Sequence, residues 1–110
     1  MSFKISEHDD ITLVEVDGEL TVGNRERFKQ LVLGQVAAGG RKFLMDFGES
    51  SYIDSTGLGA LVSLSRKIAE VGGRLRLTGL NEDLQTLFEL TKLDTVFDLA
   101  DTRAAAMADF

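Results

Sequence analysis

The six residues from Lys42 to Phe47 constrain the fold of this chain more than any other stretch. Phe43, Met45 and Phe47 point to one face of a strand and Leu44 to the other, so both faces need cover. That pattern belongs to a strand at the centre of a sheet. Asp46 is the polar exception, and a carboxylate in such a strand needs hydrogen-bond donors. The expected donors are nearby backbone amides; the functional alternative is that Asp46 positions the segment 54–57.

The rest of the chain arranges itself around this strand. Proline is absent, so glycine supplies the punctuation, at Gly18, Gly39-Gly40, Gly48, Gly72-Gly73 and Gly79. Phe3 and Ile5 alternate with polar residues, Glu7-His8-Asp9-Asp10 forms a turn, and a second strand follows from Ile11 to Val16. A short extended piece at Glu19-Leu20 comes after Gly18. Asn24 is placed to cap a helix running to about Ala38, with Phe28, Leu31, Val32 and Val36 as its buried stripe. A second helix starts near Ser55 or Thr56 and ends at Gly72-Gly73. Arg74 to Leu77 returns to strand alternation. Asn81 caps a third helix with Leu84, Leu87 and Phe88 inward, Val96 to Leu99 forms a last strand, and Asp101 opens a terminal helix through Met107. Helix and strand alternation after an opening hairpin predicts an α/β fold with a mixed sheet, in one domain spanning residues 1–110.

Several function classes fall away on inventory. With no cysteine, thiol catalysis and thiolate metal sites are excluded. A net charge of −6, from 18 acidic against 12 basic residues, argues against nucleic acid or an anionic membrane as partner. The Arg66-Lys67 and Arg74/Arg76 pairs are too few for a nucleic-acid stripe and read as solvated faces. No apolar run approaches the roughly 20 residues of a membrane span, and the N-terminus lacks a signal-peptide core, so a cytoplasmic protein is expected. A serine hydrolase would need a base, and the single histidine, His8, sits in a polar turn. Asp46, Asp54 and Asp98 do not have the spacing of a cation-binding loop, so no metal is expected. No Gly-Lys-Ser/Thr phosphate loop occurs, and Gly57-Leu58-Gly59 lacks a third glycine, so no nucleotide cofactor is expected either.

What remains is the run Tyr52-Ile53-Asp54-Ser55-Thr56-Gly57-Leu58-Gly59. It joins the carboxyl end of the central strand to a helix, where open α/β sheets commonly place their sites. Ser55 or Thr56 as an N-cap, with glycines that merely pack, is the plain structural reading. The functional reading puts a phosphate on Ser55 at the helix N-terminus, with Gly57 and Gly59 allowing close approach of a partner. The two readings are compatible.

Together with the strand Phe43–Phe47, with Gly18-Glu19-Leu20, with Gly72-Gly73 and with Leu87-Phe88-Glu89-Leu90-Thr91-Lys92-Leu93, this run resembles the STAS domain of anti-sigma-factor antagonists. The resemblance spans nearly the whole chain. It implies a small α/β domain whose mixed sheet carries helices mainly on one side. It also implies a non-enzymatic partner switch in transcription regulation. The unmodified protein binds an anti-sigma factor that is also a serine kinase, and so releases the sigma factor. Phosphorylation of the serine after the motif's aspartate, here Ser55, blocks binding, and a serine/threonine phosphatase reverses it. Partner contact is implied for Thr21, Asn24, Asp54, Thr56, Gly57, Leu58 and Gly59. Thr21 stands where many members carry an acid, and Thr56 offers a second hydroxyl beside Ser55. An accessory STAS subunit of a transport or stress-signalling complex is the alternative role.

Overall fold

The structure, a computed structural model, describes residues 2–108 and 110. In chain order the elements are β1 (Ser2–His8), β2 (Ile11–Leu20), α1 (Arg25–Ala37), β3 (Lys42–Ile53), α2 (Ser55–Glu70), β4 (Arg74–Thr78) and α3 (Glu82–Leu90). A 3-10 turn (Leu93–Thr95), β5 (Asp98–Ala100) and α4 (Arg103–Ala108) follow. The five strands lie in the order β1-β2-β3-β4-β5, so β3 is central. β1 runs antiparallel to β2, and the other three pairs are parallel, which makes the sheet mixed.

The two faces of β3 explain the layers. Phe43, Met45 and Phe47 are buried with Val14, Val16 and Leu77 beneath α1, α2 and α3, which contribute Phe28, Leu61, Leu64 and Phe88. Leu44 faces the other way, with Ile11 and Leu13, against Ala106 of α4, Met107 and Phe110. Three helices therefore cover one face, and only a six-residue helix covers the other. Gly39, at φ +105°, provides the left-handed residue that ends α1.

The strands that form the site are longer than the sequence pattern predicts. β2 continues through Gly18 to Leu20, and β3 continues past Phe47 to Ile53. The polar run Gly48-Glu49-Ser50-Ser51 hides this continuation. Register shifts between Glu15 and Asp17 and between Gly18 and Glu19 re-align the pair, with Gly18 at φ +91°. The buried Ser50 hydroxyl donates to the Gly18 carbonyl at 2.8 Å, which pins the irregular stretch.

Smaller expectations are corrected. His8 ends β1, and the turn is Asp9-Asp10 with Asp9 at φ +59°. The last strand starts at Asp98, because Phe97 rather than Val96 is the buried anchor, its ring 5.8 Å from Phe88. Thr102, not Asp101, caps α4, its hydroxyl accepting from the Ala105 amide at 3.1 Å. Arg76 is not a solvated residue: only 13% of its side chain is exposed. It donates to Asp98 at 2.7 Å and to the Ala106 carbonyl at 2.9 Å. Among the described residues no helix is long and apolar enough to cross a membrane.

Candidate functional site at the β3–α2 junction

Because β2 and β3 are parallel, their last residues pair, Glu19 with Tyr52 and Leu20 with Ile53. The chain leaves both strands at the same edge of the sheet. The loop 21–24 follows β2, and Asp54 then Ser55 follow β3. The Asp54 amide donates to the Leu20 carbonyl at 3.1 Å, closing the two exits together.

Asp54 organises this junction. Its backbone is extended, at φ −88° and ψ 179°, while Ser55 is already helical, so Asp54 is the N-cap residue of α2. One carboxylate oxygen accepts from the Thr56 hydroxyl at 2.7 Å and from the Gly57 amide at 2.8 Å. The other accepts from the Val22 amide at 3.2 Å, reaching across to the loop after β2. The expectation that Ser55 or Thr56 caps the helix is thereby corrected. Ser55 is exposed, and among the described residues its hydroxyl has no hydrogen-bond partner.

The same contacts hold the Asp54 carboxyl below the ordinary aspartate pKa, chiefly through the Thr56 hydroxyl, then the Gly57 amide. Partial desolvation opposes them, and the Val22 and Thr56 amides add to them. A depressed pKa means stabilisation that is present above the unfolded-state pKa and lost as pH falls through the folded-state value. Asp54→Ala is therefore expected to melt below the parent at neutral pH. The two melting curves should converge under acid conditions that protonate Asp54. A melting-temperature difference unchanged between neutral and strongly acidic pH would contradict this account of the cap.

Asn24 does not cap α1 with its side chain. Its Oδ1 accepts from the Thr21 amide at 2.9 Å, and its Nδ2 donates to the Glu19 carbonyl at 2.7 Å. Both ends of the amide are spent on the 19–24 loop, so Asn24 shapes the surface next to Ser55. Thr21 is half-buried in the same loop.

Gly57 and Leu58 face inward. A Cβ on Gly57 would lie 2.5 Å from the Leu20 carbonyl oxygen and 2.9 Å from Ile53 Cγ2. Leu58 is in the core at 9% exposure. Neither offers a surface to a partner, which corrects the expectation for both. Gly59 is exposed with no atom within 4 Å of its Cβ position, one helical turn after Ser55 and on the same side.

Two apolar side chains of the strand exits, not singled out from residue type as contacts, are exposed: Val22, whose amide donates to Asp54, and Tyr52 near the end of β3. Val22 is 66% exposed and Tyr52 52%. The signal for Val22 was an apolar residue stranded between polar Thr21 and Gly23, outside any period.

Asp46 makes no hydrogen bond to the 54–57 segment among the described residues. It accepts from the Gly48 amide at 2.8 Å and from Arg103 Nε at 2.9 Å. The same guanidinium also pairs with Glu15, and these two acids hold Arg103 above its ordinary pKa. Asp98 is engaged by Arg76, so Asp46, Asp54 and Asp98 are held apart by separate partners and form no ligand set. His8 pairs with Ile11 at the start of β2, whereas Ser55 lies beyond its end. A ten-residue strand, roughly 30 Å long, separates them, so His8 is no base for Ser55.

The family model for the STAS domain matches residues 2–106. BtrV of Bordetella bronchiseptica, named a candidate anti-sigma factor antagonist, is 27% identical over 110 residues, covering 100% of this chain and 95% of that protein. The anti-sigma-B factor antagonist of Bacillus subtilis is 33% identical over 98 residues, covering 87% of each. Among solved structures, a candidate anti-sigma factor antagonist from Thermotoga maritima superposes with a TM-score of 0.92 at 29% identity, covering 97% of this chain and 92% of that one.

Proposed function

The chain belongs to the STAS domain family, and from that premise we propose that it is an anti-sigma factor antagonist switched by phosphorylation of Ser55. The relatives named for this role support the reading, and they match nearly the full chain. The observation that carries the choice of acceptor is local. Of the two neighbouring hydroxyls, Thr56 is tied to Asp54, while Ser55 is exposed and unengaged.

In its unmodified form the edge bearing Val22, Tyr52, Ser55 and Gly59 docks an anti-sigma factor, which then releases its sigma factor. That partner is itself a serine kinase. It supplies ATP, magnesium and the base, and transfers the γ-phosphoryl group to Ser55 Oγ as the hydroxyl proton leaves and ADP departs. A serine/threonine phosphatase hydrolyses the phosphoester and restores docking. The chain contributes an acceptor and a surface, and catalysis belongs to its partners. Such a switch operates in the cytoplasm, where ATP and sigma factors are.

Incubation with the cognate kinase and ATP, followed by peptide mass spectrometry, tests the assignment. One phosphate on Ser55, absent from Ser55→Ala and retained in Thr56→Val, is the expected result. A phosphate on Thr56, or undiminished labelling of Ser55→Ala, overturns it.

A further inference from the structure

The proposed switch leaves unused a groove at the carboxyl ends of β4 and β5, with a cavity volume of about 220 Å³. Leu80 and Leu99 give it apolar surface, with the fully buried Leu77 beneath them. Glu89 from α3, Asp94 from the 3-10 turn and Asp101 after β5 stand around it. Among the described residues no lysine or arginine lines it. Among the described residues, none of the three carboxylates has an ion pair or a side-chain hydrogen bond. Among the described residues the ion pairs serve other acids: Asp10, Glu15, Glu26, Asp46 and Asp98. Leu99 remains 38% exposed, so apolar surface and uncompensated negative charge meet in one concavity.

These properties narrow the occupant. Three negative charges repel phosphates and other anions. Among the described residues no group of three acids or histidines is arranged to hold a metal ion, so the charge is spread around the groove rather than focused. The volume lies below the roughly 300 Å³ at which small-molecule pockets begin. A long aliphatic stem with a cationic head fits both halves, the stem on the leucines and the head among the carboxylates. A planar guanidinium can also engage a carboxylate through two parallel hydrogen bonds, which an ammonium cannot.

We propose that this groove receives an arginine side chain of the protein partner, as a second anchor beside the Ser55 surface. The inference rests on the docking reading above. Because β2 to β5 are parallel, the groove and Ser55 both lie toward the carboxyl ends of the strands; β4 and β5 end level with Asp46, and Ser55 follows Ile53 further along β3, so a partner engaging both must reach along that extension.

The test uses the 110-residue chain, labelled with 15N, and the peptide acetyl-Leu-Arg-Leu-amide as probe. Saturable amide shifts at Gly79, Leu80, Leu99 and Ala100 are expected. They should weaken about tenfold in affinity in the surface double variant Asp94→Asn/Asp101→Asn. Absent shifts, shifts centred elsewhere, or equal shifts with acetyl-Leu-Glu-Leu-amide overturn the proposal. Equal affinity for the lysine peptide overturns the assignment to a guanidinium. Ser55→Asp should bind the probe as the parent does, so this readout is independent of the phosphorylation switch.

Discussion

Gly57→Val is expected to cost about 3 kcal/mol of stability through overpacking and backbone displacement, lowering the melting temperature by roughly 10–15 °C. Gly57 is the third residue of α2, and its α-carbon rests against the exit of β2. A Cβ there would meet the Leu20 carbonyl oxygen at 2.5 Å, Ile53 Cγ2 at 2.9 Å and Leu20 Cγ at 3.1 Å. The Leu20 carbonyl cannot simply retreat, because it accepts the Asp54 amide that closes the two strand exits. Leu20 and Ile53 are themselves fully packed, at 0% and 1% exposure. The helix would have to lift, and with it the Asp54 cap, since the Gly57 amide is one of the donors to that carboxylate. Gly59→Ala is the matched control, because nothing lies within 4 Å of its Cβ position. It is expected to gain about 0.5–1 kcal/mol from the lower backbone entropy of the unfolded chain. Thermal melts of the two variants separate these effects. A Gly57→Val protein that melts within about 2 °C of the parent would show that the junction is loosely packed.

The contrast between these glycines marks how far the sequence could be read. Their spacing makes both look like clearances for a partner, yet one is filled by the chain's own backbone and the other is open. Which face of a helix turns inward at its first turn depends on what precedes it in space, here β2, thirty-odd residues away in the chain. The same long-range dependence governs the cap. Asp54, Ser55 and Thr56 are all residue types that cap helices, and only the extended backbone at Asp54 decides among them. Periodicity was sufficient where burial was continuous: the alternation of Phe43, Leu44 and Met45 already specifies the central strand and its two covered faces. It failed at Gly48–Ser51, where a bulged strand is polar and looks like a loop. It also failed at Arg76, whose partners are Asp98 of β5 and the Ala106 carbonyl of α4. Ser55 itself was legible from the motif. Its freedom from intramolecular hydrogen bonds was not.

Ser55→Asp is expected to leave the melting temperature nearly unchanged while weakening the anti-sigma-factor complex by one to two orders of magnitude. The two effects separate because they act on different neighbours. Ser55 is the first residue of α2, and an acidic group in the first turn interacts favourably with the helix dipole, by about 0.3–1 kcal/mol when exposed. The fold therefore tolerates the charge. A docked partner does not, because the Asp54 carboxyl, held below its ordinary pKa, already places negative charge on the neighbouring residue. Phosphate adds roughly −1.5 to −2 charges where aspartate adds one, so the phosphorylated protein should fall further. A penalty of about 3 kcal/mol corresponds to a little over a hundredfold in affinity. Ser55→Ala supplies the opposite sign of evidence, since it removes the acceptor without adding charge and should bind permanently. Titration of the purified partner with the three proteins measures all of this directly. If Ser55→Asp binds as tightly as Ser55→Ala, negative charge at this position does not gate docking, and the switch must lie elsewhere on the edge.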